Sequence, residues 1–362
     1  MSYSKEGEKM EDEYYYQSGG KLSNYNIEEA IQSGDIFIAP YNEKQLQPSG
    51  YNLTPTYFFY STKKKKLLTI VRTEDETYVM VDKNDTVLVR TRESIAVSNR
   101  LSGAFYSKVK VVSQGFGHVS TTLDPNWEGQ LLISLNNPTN KRLKFSIEKM
   151  VYGNKVYNSF VTLEFEYLNL PTVKKSDNVA GRLDILDATV EQNVSLLKKR
   201  KIDELYVLVG QLHIYEKKSI QNILLGVLDD SEKENWRQIQ ITQSKKEYEV
   251  QRNQFLARKQ RKYLRLIQNE FEESAIQSIN IVNKYIEEKQ KVLPVRYRTF
   301  RYVIANLDKI LNGTCSIILG VLITLEQLAS SNEKFITTYG LITLFIINIS
   351  DFLIRRLINK YN

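Results

Sequence analysis

Leu123-Asp124-Pro125-Asn126-Trp127-Glu128-Gly129-Gln130-Leu131-Leu132-Ile133-Ser134-Leu135-Asn136-Asn137 is the stretch whose reading decides the fold of the first half of this chain. Asp-Pro-Asn is turn chemistry: proline presets φ, and Asp and Asn hydrogen-bond their own backbone. The apolar run Gln130 to Leu135 then reads as a strand. Working outward, Thr77 to Val81 and Thr86 to Arg90 alternate in the same way around the turn residues Lys83-Asn84-Asp85, and Phe160 to Phe165 continues the pattern. From about Ile27 to Leu170 the chain reads as β. Four lysines, Lys63 to Lys66, separate Tyr57-Phe58-Phe59-Tyr60 from Leu67-Leu68-Thr69-Ile70, and a solvated hairpin tip accounts for them better than a phosphate site. Gly115-Phe116-Gly117-His118 has no helix pattern after it, so it reads as a turn.

With 362 residues, 42% of them hydrophobic, the chain has room for two or three units and for a real core. The single Cys315 excludes a disulfide framework, and two histidines, His118 and His213, exclude the usual multi-histidine metal sites. The net charge of +8 invites an anionic partner. No zinc-finger, helix-turn-helix or aromatic-basic signature accompanies it, which argues against nucleic acid. Residues 1–25 are polar, lack the apolar core of a signal peptide and read as a flexible arm.

After Pro171 the residue usage turns to Leu, Lys, Glu and Gln, the good helix formers. Leu183, Leu186, Val190, Asn193 and Leu197 keep 3-4 spacing, and Ile202, Leu205, Val209 and Leu212 resume it after a slip. That pattern fits an oligomeric coiled-coil stalk or a helical bundle, with Asn193 as a register-fixing residue in the first case. From Ser231 to Lys291, Trp236, Ile239, Tyr248, Phe255, Tyr263, Ile267 and Phe271 are spaced for one face of one helix, which Pro294 ends.

The last sixty residues hold two uncharged segments, Leu311 to Leu325 and Phe335 to Ser350. With their apolar ends, Ile310 to Ala329 and Phe335 to Ile354 each run about 20 residues, enough to cross a hydrocarbon core of roughly 30 Å. Glu326 and Asp351 shorten the uncharged runs, so a buried helical pair is the alternative to a transmembrane hairpin. Arg296, Arg298, Arg301 and Lys309 precede the pair and Arg355, Arg356 and Lys360 follow it, which places both ends, and the bulk of the chain, on the cytoplasmic side of a bacterial-type inner or plasma membrane. Asn312, Ser316, Gly320 and Thr324 recur every fourth residue along one face, a stripe suited to close helix packing or to the wall of a pore.

Several motifs in the β region occur together in one order. Ala30-Ile31-Gln32-Ser33-Gly34-Asp35-Ile36 leads to Leu46-Gln47-Pro48-Ser49-Gly50-Tyr51-Asn52-Leu53; Thr91-Arg92-Glu93-Ser94-Ile95 and Asn99-Arg100-Leu101-Ser102-Gly103 follow; then come Leu123 to Gln130 and the strand ending in Asn. This resembles the dCTP deaminase and dUTPase superfamily over roughly residues 27–168. The resemblance implies a distorted β-barrel or jelly roll, usually a homotrimer, with pyrimidine nucleotide sites between subunits. The fold class expected is therefore α+β and multidomain: a β-barrel at 26–170, a helical or coiled-coil connector at 171–300 and a two-helix transmembrane hairpin at 301–362.

The resemblance also assigns roles, and this chain departs from several of them. Deaminases of the family carry a glutamate on the strand after the turn, where Ser134 stands here, and a hydroxyl is too weakly acidic to serve as that general base unaided. The family's phosphate-gripping segment supplies arginine and two serines; Gly103-Ala104-Phe105-Tyr106-Ser107-Lys108-Val109-Lys110 keeps one serine and two lysines. Asn52 replaces the usual aspartate of the first motif. Asp124 occupies the place of the dUTPase aspartate that orients the attacking water, and Trp127 the base-stacking position. Their structural readings are a turn cap for Asp124 and a rim cover for Trp127.

The nucleotide-binding set expected is thus Asn52, Ser107, Lys108, Lys110, Asp124 and Trp127, with Asp124 catalytic only if turnover survives. No resident metal is expected, and magnesium only with a bound nucleoside triphosphate. Three functions compete: a degenerate nucleotide or partner sensor joined through helices to a membrane effector, an architecture met by analogy in bacterial antiphage defence; a membrane-tethered dUTP- or dCTP-processing enzyme; and a trimeric membrane scaffold.

Overall fold

The computed structural model describes residues 19–117, 120–172, 183, 185–187, 199–216 and 219–292. The first helix, α1 (Asn24–Ser33), interrupts the β region near its start, because Ser23 accepts from the Asn26 amide and Asn26 reciprocates in a capping box. It stops at Gly34, whose φ of 80° suits the left-handed cap. Fifteen strands are described: β1 (Gly20–Lys21), β2 (Ile36–Ala39), β3 (Leu46–Gln47), β4 (Gly50–Leu53), β5 (Pro55–Ser61), β6 (Lys66–Leu67), β7 (Ile70–Arg72), β8 (Glu76–Val81), β9 (Asp85–Val97), β10 (Leu101–Ser107), β11 (Thr122–Leu123), β12 (Glu128–Asn137), β13 (Leu143–Val151), β14 (Asn154–Tyr157) and β15 (Val161–Tyr167). The short helix α2 (Val109–Val112) follows β10.

All the pairings are antiparallel and form three sheets. One runs β11-β10-β15-β4-β3 with β1 also on β15, the second β12-β9-β5-β6 with β2 also on β9, and the third β14-β13-β8-β7. The β1 pairing sets Gly20 opposite Tyr167 inside the segment expected to be a flexible arm. The long strand β9 is the organiser. It pairs with β12, β5 and β2 along its length, and Thr91 bridges an irregularity in β12 by accepting from the Leu131 amide at 3.0 Å. Phe145 meets Phe59 in a tilted pair and Phe116 and Phe160 edge to face, with centroids 5.7 to 6.4 Å apart.

The helical region comprises α3 (Lys199–Glu216), α4 (Ile220–Val227), α5 (Asp230–Gln240), α6 (Lys245–Lys262) and α7 (Leu264–Val292). The single helix expected over Ser231 to Lys291 is in fact three. Ser244 caps α6 with its hydroxyl on the Glu247 amide, and the chain breaks again at Tyr263. The break has a packing cause: Trp236 and Phe255, whose centroids lie 5.5 Å apart, meet only if α5 and α6 fold back on each other. Both then share an apolar cluster with Phe37, Ala39 and Ala96 of the second sheet.

Of the earlier heptad positions, Leu183, Leu186, Leu205, Val209 and Leu212 are buried in the main core with Val282, Tyr285 and Ile286 of α7. They are used within the chain, as a bundle and not a free stalk; Val190, Asn193 and Leu197 lie outside the described residues. The α7 helix also packs on β5. Every residue of β5 is buried as a result, which is why Tyr57-Phe58-Phe59-Tyr60 is an unbroken aromatic run and not an alternating one.

Among the described residues no helix is long and apolar enough to cross a membrane. The expected hairpin, with Asn312, Ser316, Gly320 and Thr324, lies outside them.

Candidate functional site

The turn that opened the sequence reading is a tight one. Pro125 and Asn126 occupy its corners, Asn126 has φ 62°, and the Trp127 amide donates to the Asp124 carbonyl at 3.2 Å. Proline followed by a left-handed asparagine is what a type II turn requires. The turn is fixed to the end of β9 by the Asn126 amide on the Ser98 carbonyl (3.3 Å) and the Val97 amide on the Trp127 carbonyl (3.1 Å). Asp124 is half-buried. The Trp127 indole N–H donates to the Gly129 carbonyl at 3.1 Å and its ring packs partly against the core. Its polar edge is therefore satisfied within its own loop, and its ring is half-buried.

Glu128 comes next, and its use was not legible beforehand. Its carboxylate accepts the Ile220 amide at 3.0 Å, the first residue of α4. An acidic group there satisfies a helix amide that has no intrahelical partner and sits at the positive end of the helix dipole. The helical region is thus tied directly to the loop that carries Asp124 and Trp127. Ser134 lies farther along β12, opposite Leu88, half-buried between the buried Ile133 and Leu135.

The other candidates gather at a second place. Asn52 on β4 pairs with Thr162 on β15, and its side-chain oxygen accepts from both the Thr162 hydroxyl (2.8 Å) and the Lys108 ammonium (2.7 Å). Partial burial, and then the charge of Lys110, lower the pKa of Lys108. Lys110 itself reaches Asn158 at 3.4 Å, and Ser107 pairs with Val161 across the ladder. Asn52, Ser107, Lys108 and Lys110 are therefore brought together, with Thr162 as a member that sequence reading missed. Its only signal was an outward position in the alternating strand Val161–Tyr167.

Asp124 and Trp127 are not part of that group. Leu123 pairs with Gly103, four residues before Ser107 on β10, so the two groups lie roughly 13 Å apart along that strand. The sequence-predicted site residues of one chain thus fall into two separate groups.

Two residues along from Asn52, Thr54 donates to the fully buried Glu93 through both its amide (2.9 Å) and its hydroxyl (2.6 Å). Desolvation outweighs those bonds and pushes its carboxyl up to about 6. Nearby, Arg90 donates to Gln130 at 2.6 Å in the β9–β12 interior. Among the described residues no three His, Cys, Asp or Glu side chains are placed to hold a metal. The first-motif position offers an amide oxygen already facing an ammonium, a donor set that does not fit a resident divalent cation.

Comparison with known proteins agrees with the motif order. Residues 21–149 match the family model described as dCTP deaminase-like. The dCTP deaminase of Thermococcus kodakarensis is 28% identical over 131 residues, 36% of this chain and 78% of that protein. The Pyrococcus furiosus dCTP deaminase gives the same figures. Among solved structures, the 2'-deoxycytidine 5'-triphosphate deaminase from Agrobacterium tumefaciens aligns with 42% of this chain and 49% of its own at 12% identity and a TM-score of 0.33. This chain carries a dCTP deaminase-like domain at residues 21–149, joined to a helical region.

Proposed function

We propose that this chain is a membrane-anchored pyrimidine-nucleotide sensor, built on a deaminase-like domain that binds without turnover and reports through its helices. The observation that carries the reading is Ser134: the strand position that the resemblance gives to a general-base glutamate holds a hydroxyl. Lys108, bound to Asn52, fits the same reading, since ammonium groups stand where the resemblance gives the phosphate contact to arginine. The half-sites at the two ends of β10 favour a homotrimer or higher homo-oligomer, in which the Lys108 group of one copy and the Asp124 group of another face one ligand. Magnesium would enter with the triphosphate.

The Glu128 contact to α4 gives the ligand loop a mechanical connection to the helices, and in sequence α7 precedes the segments at 310–354 that we read as a hairpin with both ends cytoplasmic. Its stripe at Asn312, Ser316, Gly320 and Thr324 would form the packed or conducting face. Loss of membrane integrity on ligand binding would suit defence against phage, by analogy with other two-part effectors.

The test is to incubate the purified full-length protein with dCTP, dUTP or dTTP and magnesium. Thermal unfolding and product formation are read together for wild type and Asp124→Asn. A nucleotide-dependent rise in melting temperature without product supports the sensor. Product that disappears in the Asp124 variant would instead make the chain an enzyme. Absence of both a shift and product leaves a scaffold.

A further inference from the structure

Three turns converge at the Asp85 end of β9: residues 62–66, 82–85 and 138–142. Carboxylates and an amide hold them from the inside. Asp82 takes both Lys64 (2.6 Å) and Arg142 (2.8 Å). Asp85 is buried and accepts from the Ser61 hydroxyl at 2.6 Å and the Lys63 amide at 3.3 Å. The Asn137 amide donates to the carbonyls of Val81, Asp82 and Lys141 at 2.8 to 3.1 Å. With the acidic groups spent inward, Lys63, Lys65, Lys66, Lys83 and Lys141 all stand exposed on one end of the barrel. Lys63 reaches the Lys83 carbonyl at 3.0 Å, which fixes two of the turns side by side. Lys65 (φ 51°) and Asn84 (φ 54°) hold the left-handed positions of two of the turns.

The same end is the one toward which α7 runs. The helix starts against α1, where Leu264 abuts Gly34 and Gln268 donates to the Ile31 carbonyl at 3.4 Å. Phe271 then meets Phe37 edge to face with centroids 5.7 Å apart, near the Val97 end of β9, where Phe37 pairs with Ala96. Farther on, the helix packs on β5, whose partners on β9 run from Thr91 to Val87. Its 29 residues span roughly 43 Å, comparable with the length of β9. Beyond Val292 the sequence continues with Arg296, Arg298, Arg301 and Lys309 before the apolar segments. The described part of the helix therefore ends on the side of the Asp85 end of β9, and in sequence it leads to further basic residues.

We propose that the barrel end formed by Lys63, Lys65, Lys66, Lys83 and Lys141 is a docking surface for an anionic phospholipid bilayer. The proposal deepens the membrane reading above and rests on it for the choice of partner. Lysine is a compact, strongly hydrated charge on a flexible stem, suited to a fluid array of headgroups and not to one fixed ligand. A basic residue held near an anionic leaflet strengthens association about fivefold.

The experiment uses the full-length chain on two kinds of vesicle, phosphatidylcholine alone and phosphatidylcholine with about 30% phosphatidylserine. The variant is Lys63→Gln, Lys65→Asn, Lys66→Gln, Lys83→Gln and Lys141→Gln, all exposed and all outside the Asn52–Lys108 group. Flotation on the neutral vesicles reads the hairpin alone. Hydrogen exchange of the amides at 62–66, 82–85 and 138–142 reads the docking surface. We expect those amides to exchange more slowly on the anionic vesicles than on the neutral ones, with the difference abolished in the variant. If the chain fails to float with neutral vesicles, the hairpin is refuted while the docking surface remains testable. Phosphatidylserine should then raise the bound fraction, and the variant should lower that gain at least about a hundredfold. Equal exchange on both vesicles, or a variant-sensitive affinity for duplex DNA or polyphosphate without any phosphatidylserine dependence, overturns the proposal.

Discussion

Replacing Glu93 by Gln tests the electrostatics of the buried carboxyl beside Thr54. The carboxyl is buried, is held by Thr54 through two hydrogen bonds, and stands at about 6 against an ordinary value of 4.5. A carboxyl whose folded pKa is raised favours the native state while it is protonated. Its contribution is full below the unfolded value of 4.5 and is lost as pH rises through 6. The difference of about 1.5 in pKa corresponds to about 2 kcal/mol. Glu93→Gln keeps the shape and removes the titration, so the stability difference between variant and wild type should shift in the variant's favour by about 2 kcal/mol between pH 4.5 and pH 7. Urea unfolding measures this, followed by Trp127 fluorescence in a Trp236→Phe background so that the barrel alone reports. Any constant offset from a weakened Thr54 contact cancels in the slope. Parallel stability curves across that window, or a shift against the variant, would refute the assignment of a desolvated, proton-holding Glu93.

Three further outcomes follow from the packing. Glu128→Ala should expose the first amides of α4 and cost about 1 kcal/mol there, the value of a lost cap, read as roughly fivefold faster exchange at Ile220 to Leu224 with the barrel strands unchanged. Glu232→Gln should loosen the α5–α6–α7 unit by about 2 kcal/mol, because the carboxylate takes Lys259, Lys262 and the Tyr263 hydroxyl, each at 2.7 Å; those ammonium groups are partly exposed, and a drop much beyond that figure in differential unfolding would contradict the estimate. Gly103→Ala sets a methyl 2.6 Å from the Glu164 carbonyl and 2.9 Å from the Leu163 side chain in the β10–β15 ladder. It should destabilise the barrel by about 2 kcal/mol or more by thermal unfolding, whereas alanine at open Gly117 should be close to neutral.

Local chemistry was legible in the sequence; long-range partnership was not. Pro125-Asn126 announces its turn, and Gln130 to Leu135 its strand, because both depend only on neighbouring residues. Ser244 three residues before Glu247 was a readable cap signal, and the expectation of one long helix passed over it. Lys108 and Asn52 are 56 residues apart, and Asn52 and Thr162 are 110 apart; only the strand order brings them together. The same holds for Glu128, whose partner amide belongs to a helix 92 residues away. The aromatic run in β5 showed that a strand was buried, but nothing in it named α7 as the cover on its second face.

The length of α7 has a consequence of its own. A single unbroken helix fixes angle as well as distance, since each residue adds about 100° of rotation. Inserting two residues near its C-terminal end would turn the point at which the chain leaves the helix by about 200°, whereas inserting seven would return it to within about 20° of the direction at Val292. A chain whose output tolerates seven added residues and fails with two would be transmitting orientation. A chain indifferent to both would be using α7 only as a tether.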